Sequence, residues 1–210
     1  MEINTIIMGD CLDVMKQYPD KYFDLCLTDP PYGINYEYKS YDDTRDNLIK
    51  LINGAMPEIL RISKRVLLTC GNSNIALYPK PKWILAWINT AGANRNSWGF
   101  SCWQPILAYG KDPYLENGMG ARQDIIIDNS VTEKWIKHSC SKPIPFWTKL
   151  LLRGSVKEGD LIIDPFAGSC STAVACKRMG RKFIMIEQDP DYCKIGRKRL
   201  KKEKNMFENL

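Results

Sequence analysis

The segment Phe23-Asp24-Leu25-Cys26-Leu27-Thr28-Asp29-Pro30-Pro31-Tyr32 decides the fold of this chain. Its first half is a short apolar run that is typical of a buried β-strand, and the two prolines end that strand. A proline has no N–H and fixes its own φ, and it pushes the preceding residue toward extended geometry. The segment therefore predicts a stiff turn at the carboxyl end of a strand, where open α/β sheets bind their ligands.

This turn carries groups that suit the exocyclic amine of a nucleobase, whose lone pair is conjugated into the ring. Asp29 and the carbonyl of Pro30 can each accept one N–H of such an amine, and Tyr32 can stack on the base. Preorganised groups of this kind contribute about 2.7–4 kcal/mol each where measured. These residues alone also fit a purely structural interpretation, in which the turn only ends the strand and has no role in catalysis.

Composition indicates a single globular domain of 210 residues, 44% of them hydrophobic and 26% charged. No apolar run can span a bilayer, and residues 1–4 lack the basic-then-apolar order of a signal peptide, which favours a cytoplasmic protein. The net charge of +6 is compatible with a polyanionic partner. Much of this charge lies in 194–204, which we interpret as a solvated helix end.

The eight cysteines form no Cys-x-x-Cys pair, and His138 is the single histidine. These spacings do not match known metal sites, so we expect no metal. The cysteines are interpreted as reduced thiols that serve as small apolar side chains.

Strand and helix patterns alternate along the chain. Apolar runs predict strands at 3–8, 23–27, 65–70, 101–109, 125–127, 161–164 and 182–186. Helical spacing predicts helices at 12–18, 46–62, 82–90, 145–152, 171–179 and from 189 onward. Pro105 favours an edge strand or a bulge. The polar, aromatic segment 33–43 is expected to be a mobile loop over Asp29.

The last third of the chain reads as a second βαβ unit. The strand at 161–164 leads into the tight, small-residue turn Pro165-Phe166-Ala167-Gly168-Ser169-Cys170-Ser171, and Glu187 follows Gly168 by 19 residues. A small-residue turn allows close backbone approach, and an acid about twenty residues on can bind ribose hydroxyls. The turn lacks the Gly-x-Gly-x-x-Gly spacing, so a nucleoside cofactor is favoured over a dinucleotide.

Together these segments resemble the S-adenosylmethionine-dependent DNA amino-methyltransferases of the β class, in which the catalytic motif precedes the cofactor motif. Asp29-Pro30-Pro31-Tyr32 is similar to the catalytic tetrapeptide, and Asp164-Pro165-Phe166-Ala167-Gly168-Ser169 to the cofactor loop. The segment 186–192 resembles the ribose-binding stretch, and Gly9-Asp10 stands where the family contacts the adenine of the cofactor. The segment 138–143 resembles the stretch near the methionine end. The resemblance runs from about residue 6 to residue 200.

The resemblance implies a Rossmann-like methyltransferase fold in the α/β class, with a mixed, mostly parallel sheet and helices on both faces. It implies one catalytic domain over 1–210, with a short target-recognition region at about 93–135. It also implies S-adenosylmethionine as cofactor and double-stranded DNA as partner, with a homodimer expected by analogy. The aspartate at position 29 resembles the first residue of the catalytic motif in the adenine-N6 subgroup of this family. The resemblance therefore implies adenine N6 as the target, in a base that is flipped out of the duplex.

By this resemblance, the catalytic residues are Asp29, Pro30, Pro31 and Tyr32. Glu187 would hold the ribose hydroxyls and Asp10 the adenine amine. The full set of expected cofactor-binding residues is Asp10, Cys11, Asp29, Lys142, Asp164, Phe166, Ala167, Gly168, Ser169, Cys170, Ser171, Glu187 and Gln188. Candidates for phosphate contacts are Lys39, Arg95 and Arg122. Direct transfer needs no covalent enzyme intermediate, so no cysteine is assigned as a nucleophile.

Cys170 stands where most members of the family have a second glycine, and a side chain there tolerates the turn only if φ is negative. The chain is short for the family, so target recognition is expected to be brief, relaxed or shared with a partner. Cytosine-N4 methylation, an RNA substrate and a degenerate nucleic-acid-binding module stay open as alternatives. The sequence defines neither the recognition site nor an accompanying restriction enzyme.

Overall fold

The computed structural model describes residues 2–90, 98–131 and 141–203, together with the backbone of 94–96. The strands are β1 (Thr5–Met8), β2 (Leu25–Thr28), β3 (Val66–Thr69), β4 (Trp83–Ile88), β5 (Asn94–Asn96), β6 (Gly99–Ser101), β7 (Trp103–Tyr109), β8 (Ile125–Ile127), β9 (Leu161–Asp164) and β10 (Lys182–Glu187). The helices are α1 (Cys11–Met15), α2 (Arg45–Ile62), α3 (Pro113–Glu116), α4 (Ile144–Gly154), α5 (Ser171–Arg178) and α6 (Pro190–Lys202), with a 3₁₀ helix at Asn72–Leu77.

Eight of the described strands form one sheet in the order β1-β10-β9-β2-β3-β7-β4-β8, and β5 and β6 form a separate hairpin. Within the sheet, β7 runs antiparallel to both of its neighbours, and the other neighbouring pairs are parallel. The expectation of a mixed, mostly parallel sheet is confirmed. Much of the predicted target-recognition region belongs to this sheet, because β7 and β8 lie inside 93–135.

Helices cover both faces of the sheet, as expected. Phe146 of α4, Ala173 of α5 and Cys193 of α6 are buried in the hydrophobic cluster on one face. On the other face, Met15 of α1 and Ile52 of α2 belong to a second cluster. No helix in the described ranges is both long enough and apolar enough to cross a membrane.

The helix predicted at 82–90 is wrong, because this segment forms β4. Trp83 and Trp87 are four residues apart, a spacing that fits a helix, but the side chains alternate across a strand. Leu85 and Trp87 are buried, whereas Ile84 is 41% exposed. Pairing with β7 on one side and β8 on the other decides the conformation, and such tertiary context overrides a weak local pattern.

The edge position predicted from Pro105 is also wrong, since β7 lies between β3 and β4. Pro105 sits opposite Cys70, one residue past the end of β3, and its carbonyl accepts the Cys70 N–H at 3.3 Å. Proline has no N–H to return to the Cys70 carbonyl. The Nε2 atom of Gln104 donates to that carbonyl at 3.3 Å instead, so an interior strand tolerates the proline.

Candidate active site

The candidate site lies at the carboxyl ends of the central parallel strands, between β9 and β2. From β9 the chain runs through α5 toward β10, and from β2 it runs through α2 toward β3 on the opposite face. Such a switch point is where open α/β sheets bind ligands. The hydroxyl of Thr28 donates to Asp164 Oδ1 at 2.6 Å across this point, so the catalytic turn and the cofactor loop are directly linked.

A cavity of about 200 Å³ opens at this switch point. Most of the residues expected from the sequence line it. They are Asp10, Cys11, Asp29, Pro31, Lys142, Asp164, Phe166, Ala167, Gly168, Ser169, Ser171, Glu187 and Gln188. Pro30, Tyr32 and Cys170 are not among the lining residues.

Glu187 fastens the cofactor loop to the end of β10. Its Oε2 atom accepts the Gly168 N–H at 2.7 Å, and Oε1 accepts the Asp189 N–H at 2.7 Å. Burial raises the pKa of this carboxyl, although these N–H bonds act against that rise. Each carboxylate oxygen has a second lone pair for a ligand hydroxyl, which is compatible with the predicted ribose role.

Asp164 is a buried link among three elements. Its Oδ1 accepts from Thr28 and from the Phe166 N–H, and its Oδ2 accepts the Thr172 hydroxyl at 2.7 Å. Burial raises the pKa of Asp164 to about 6, and these hydrogen bonds limit the rise. Asp164 therefore holds β2, β9 and α5 in register around the cavity.

The sequence predicts that the loop tolerates a side chain at position 170 only if φ there is negative. In the structure the φ of Cys170 is +60°, so this expectation is wrong. The residue tolerates this left-handed conformation with a buried side chain, whose Sγ lies 3.6 Å from the Gly168 carbonyl oxygen. That side chain packs against Gly196 of α6 and away from the cavity. The missing Cβ of Gly196 makes the room, so a side chain at position 170 is compatible with the loop. A direct cofactor contact by the Cys170 side chain is not supported.

Asp29 lies in a dense polar cluster. Its Oδ1 accepts the hydroxyls of Thr69 at 2.5 Å and Tyr32 at 2.6 Å. Lys142 forms an ion pair with Oδ2 and donates to the Tyr32 hydroxyl at 2.8 Å. Gln104 also donates to the Tyr32 hydroxyl. The Tyr32 hydroxyl thus fixes the carboxylate, and burial together with the Asp29 charge raises the Tyr32 pKa well above its usual value.

Four carboxylates and one ammonium group are the charged side chains among the described residues that line the cavity. The carboxylates belong to Asp10, Asp29, Asp164 and Glu187, and the ammonium group to Lys142. Asp10 is engaged with the backbone, since its Oδ1 accepts the Leu12 N–H at 2.8 Å at the start of α1. The lining is therefore predominantly acidic, with one cation beside Asp29.

The loop at 33–43 is held together by Asp43, which is 1% exposed. Its carboxylate accepts the N–H groups of Gly33 at 2.7 Å, Ile34 at 3.1 Å and Tyr36 at 3.2 Å. Tyr38, Ser40 and Tyr41 of this loop line the cavity. The loop covers the cavity as expected, and its mobility stays a prediction.

The three phosphate-contact candidates lie in different places. Lys39 is exposed beside the cavity and pairs with Asp191 at 2.9 Å. Arg122 lies 4.6 Å from the Tyr114 ring centroid and lines a second cavity at the amino ends of β3 and β4, across the sheet from Asp29. The Arg95 side chain and 138–140 lie outside the described residues. Within the described ranges, no cluster of three His, Cys, Asp or Glu side chains can hold a metal ion.

Sequence reasoning missed Thr69, Gln104 and Arg199 as residues of this site, and it named Ser141 only as part of the segment 138–143. Thr69 and Gln104 reach the Asp29 cluster from β3 and β7. Ser141 and Arg199 bind the serines of the cofactor loop. Arg199 had a sequence signal, since it falls on the same face of α6 as the small residues Cys193 and Gly196.

Residues 96–198 match the family model described as DNA methylase. The chain is 42% identical over 99 residues to Type II methyltransferase M2.DpnII of Streptococcus pneumoniae, covering 45% of this chain and 37% of that protein. It is 26% identical to DNA adenine methyltransferase YhdJ of Escherichia coli (strain K12), covering 95% of this chain and 83% of that protein. The first two curated relatives are matched over only 37% and 26% of their own lengths.

Solved structures of the same class share the fold. The M1.HpyAVI–SAM complex superposes with a TM-score of 0.68 at 21% identity, covering 93% of this chain and 98% of that one. The cytosine-N4-specific PvuII DNA methyltransferase gives a TM-score of 0.72 at 14% identity, covering 92% and 85%. The family-model match over 96–198 shows that the chain is similar to the DNA amino-methyltransferases, and the solved structures show that it shares their Rossmann-like fold.

Proposed function

We propose that this chain methylates the N6 amine of a flipped-out adenine in double-stranded DNA, using S-adenosylmethionine. The observation that carries the proposal is the position of Asp29, which lies between the acidic cavity and the fixed cluster of Thr69, Tyr32 and Lys142. A pure nucleic-acid-binding module has no need for a carboxylate held in this way.

The cavity fits the charges of S-adenosylmethionine, which has two cationic groups and one carboxylate. Its sulfonium and ammonium groups suit the acidic lining, and Lys142 is the cation available to its carboxylate. Glu187 stands at the end of β10, where a nucleoside hydroxyl can reach its second lone pairs. When bound, S-adenosylmethionine supplies an electrophilic methyl group.

Asp29 acts on the target amine. Thr69 and Tyr32 hold Oδ1, so Oδ2 is the atom that faces an incoming N–H once Lys142 is drawn aside. A hydrogen bond from the amine to Oδ2, with a second to the Pro30 carbonyl, concentrates the lone pair on the nitrogen. Oδ2 can also take up the proton that the nitrogen releases as its new bond to carbon forms.

Two features support adenine in duplex DNA as the target. The relative YhdJ is described as a DNA adenine methyltransferase, and Lys39 places a positive charge beside the cavity, where a phosphate backbone can approach. Cytosine N4 is the second candidate, because a structural neighbour is cytosine-N4-specific. We do not propose a phosphate contact for Arg122, because it lies at the amino ends of β3 and β4, whereas Asp29 lies at the carboxyl end of β2.

Transfer of a labelled methyl group from S-adenosylmethionine, followed by nucleoside analysis, tests the proposal. The acceptors are unmethylated duplex DNA and an RNA of matched sequence. N6-methyladenine from the duplex is the expected product. N4-methylcytosine refutes the choice of base and leaves the reaction class standing, and label in the RNA alone refutes the DNA substrate.

A further inference from the structure

Arg199 is a buried cation beneath the cofactor loop, in a stretch of α6 where Lys198, Lys201 and Lys202 are exposed. The residue is only 3% exposed. Together with Cys193 and Gly196 it forms the buried side of the helix. This spacing carries the guanidinium to the underside of the loop rather than into solvent.

The guanidinium is bonded to the loop that lines the cavity. Its Nη1 atom donates to the Ser169 carbonyl at 2.7 Å, to Ser169 Oγ at 3.2 Å and to Ser171 Oγ at 2.9 Å. Ser141 Oγ lies 2.9 Å from Ser169 Oγ and 3.1 Å from Ser171 Oγ. All three serines line the cavity, whereas Arg199 is not among the lining residues.

These contacts orient the hydroxyl groups. Because Nη1 donates to the Ser169 and Ser171 oxygens, neither hydroxyl can donate back to it, so their hydrogens remain available for Ser141 or for a ligand in the cavity. The next residue after Ser141 is Lys142, which also lines the cavity. The amino end of α5 begins at Ser171 and adds a positive partial charge. This part of the cavity therefore presents hydroxyl groups, one ammonium group and the amino end of a helix, which suit a carboxylate.

We propose that Arg199 is a positioning residue that acts through Ser141, Ser169 and Ser171 to hold the carboxylate end of bound S-adenosylmethionine. The proposal rests on the proposed function and deepens it, because Arg199 works from behind the loop without touching the ligand. A purely structural arginine would support the two ends of the ligand equally, whereas this role concerns the amino-acid end alone.

Calorimetric binding of two ligands tests the role. S-adenosylmethionine contains the amino-acid end, and 5′-methylthioadenosine keeps the adenosine and the sulfur without it. Arg199→Met should raise the Kd for S-adenosylmethionine about tenfold, the loss expected for a charge-assisted bond. The Kd for 5′-methylthioadenosine should change little, and Arg199→Lys should recover part of the loss.

Arg181 provides the matched control. It is also buried, at 8% exposure, and donates to the Ser155 hydroxyl at 3.2 Å and carbonyl at 3.1 Å, next to the amino end of β10. Arg181→Met should leave the ratio of the two Kd values at its wild-type level, even where it lowers the melting temperature.

The role is overturned if Arg199→Met raises the Kd values for both ligands equally. It is also overturned if Arg181→Met changes the ratio of the two Kd values as much as Arg199→Met does. If Arg199→Met does not fold, the double variant Ser169→Ala/Ser171→Ala decides, because it keeps the buried charge. That variant should show the same selective loss, and an unchanged affinity for S-adenosylmethionine overturns the role. Absence of S-adenosylmethionine binding by the wild-type chain refutes the proposed function itself.

Discussion

Gly196→Ala tests the contact between α6 and the cofactor loop. A Cβ at position 196 would lie 2.5 Å from Cys170 Sγ, 2.9 Å from Cys170 Cβ and 2.9 Å from Ile6 Cδ1. In an open helix this change gains about 0.8–1 kcal/mol, but overpacking a core costs about 1–3 kcal/mol. The overlap involves buried atoms, so we expect a net loss of about 1–2 kcal/mol in the free energy of unfolding.

The sign should change once Cys170 is removed. Cys170→Gly deletes two of the three crowding atoms and suits the φ of +60°, where a side chain costs about 1–2 kcal/mol. In that background, Gly196→Ala should be neutral or stabilising, because the helix propensity of alanine then dominates. The expected coupling between the two positions is about 1–3 kcal/mol.

Urea denaturation of the wild type, both single variants and the double variant gives this coupling directly. The four free energies of unfolding form a double-mutant cycle, with equal m-values as the check that unfolding stays comparable. If Gly196→Ala has the same effect in both backgrounds, then Cys170 does not occupy the space that Gly196 leaves.

Three more predictions concern the site. The pKa of Asp164 is about 6 in the fold against 3.8 without it, so its contribution favours folding at low pH and is lost as pH rises toward 6. Asp164→Asn should remove about 3 kcal/mol of that pH dependence, measured by urea denaturation from pH 4 to 7. Glu187→Ala should raise the calorimetric Kd for S-adenosylmethionine about tenfold or more, since it loses the loop bonds and the ribose acceptor; an unchanged Kd contradicts that role. Thr69→Val should lower kcat with little change in cofactor affinity, because Thr69 bonds Asp29 alone within the cavity-lining set.

Local sequence signals predict the parts of the fold that depend on local chemistry. The Asp29-Pro30-Pro31-Tyr32 turn and the loop at 165–171 were placed at strand ends, and the structure puts both beside one cavity. Prolines and small residues limit the backbone wherever they occur, so these signals do not depend on the rest of the chain.

Non-local packing explains what the sequence did not predict. Trp83 and Trp87 fit a helix and a strand equally, and pairing with β7 and β8 decides between them. Thr69 and Gln104 lie 40 and 75 residues after Asp29, and nothing in their own segments marks them as partners of its cluster. The sequence does not distinguish Arg199 from the solvated cations around it. Packing of α6 decides which of these side chains is buried, and Arg199 is only 3% exposed.

The most direct test compares Asp29→Ala with Asp24→Ala, a variant of the residue just before the same strand. Asp24 pairs with Lys64 at 2.8 Å and accepts the Leu161 N–H at 2.9 Å, at the opposite end of β2 from the cavity. The measurement is methyl transfer to duplex DNA with S-adenosylmethionine affinity recorded in parallel. We expect Asp29→Ala to abolish transfer while binding S-adenosylmethionine, and Asp24→Ala to retain transfer. Comparable transfer by Asp29→Ala would contradict the account.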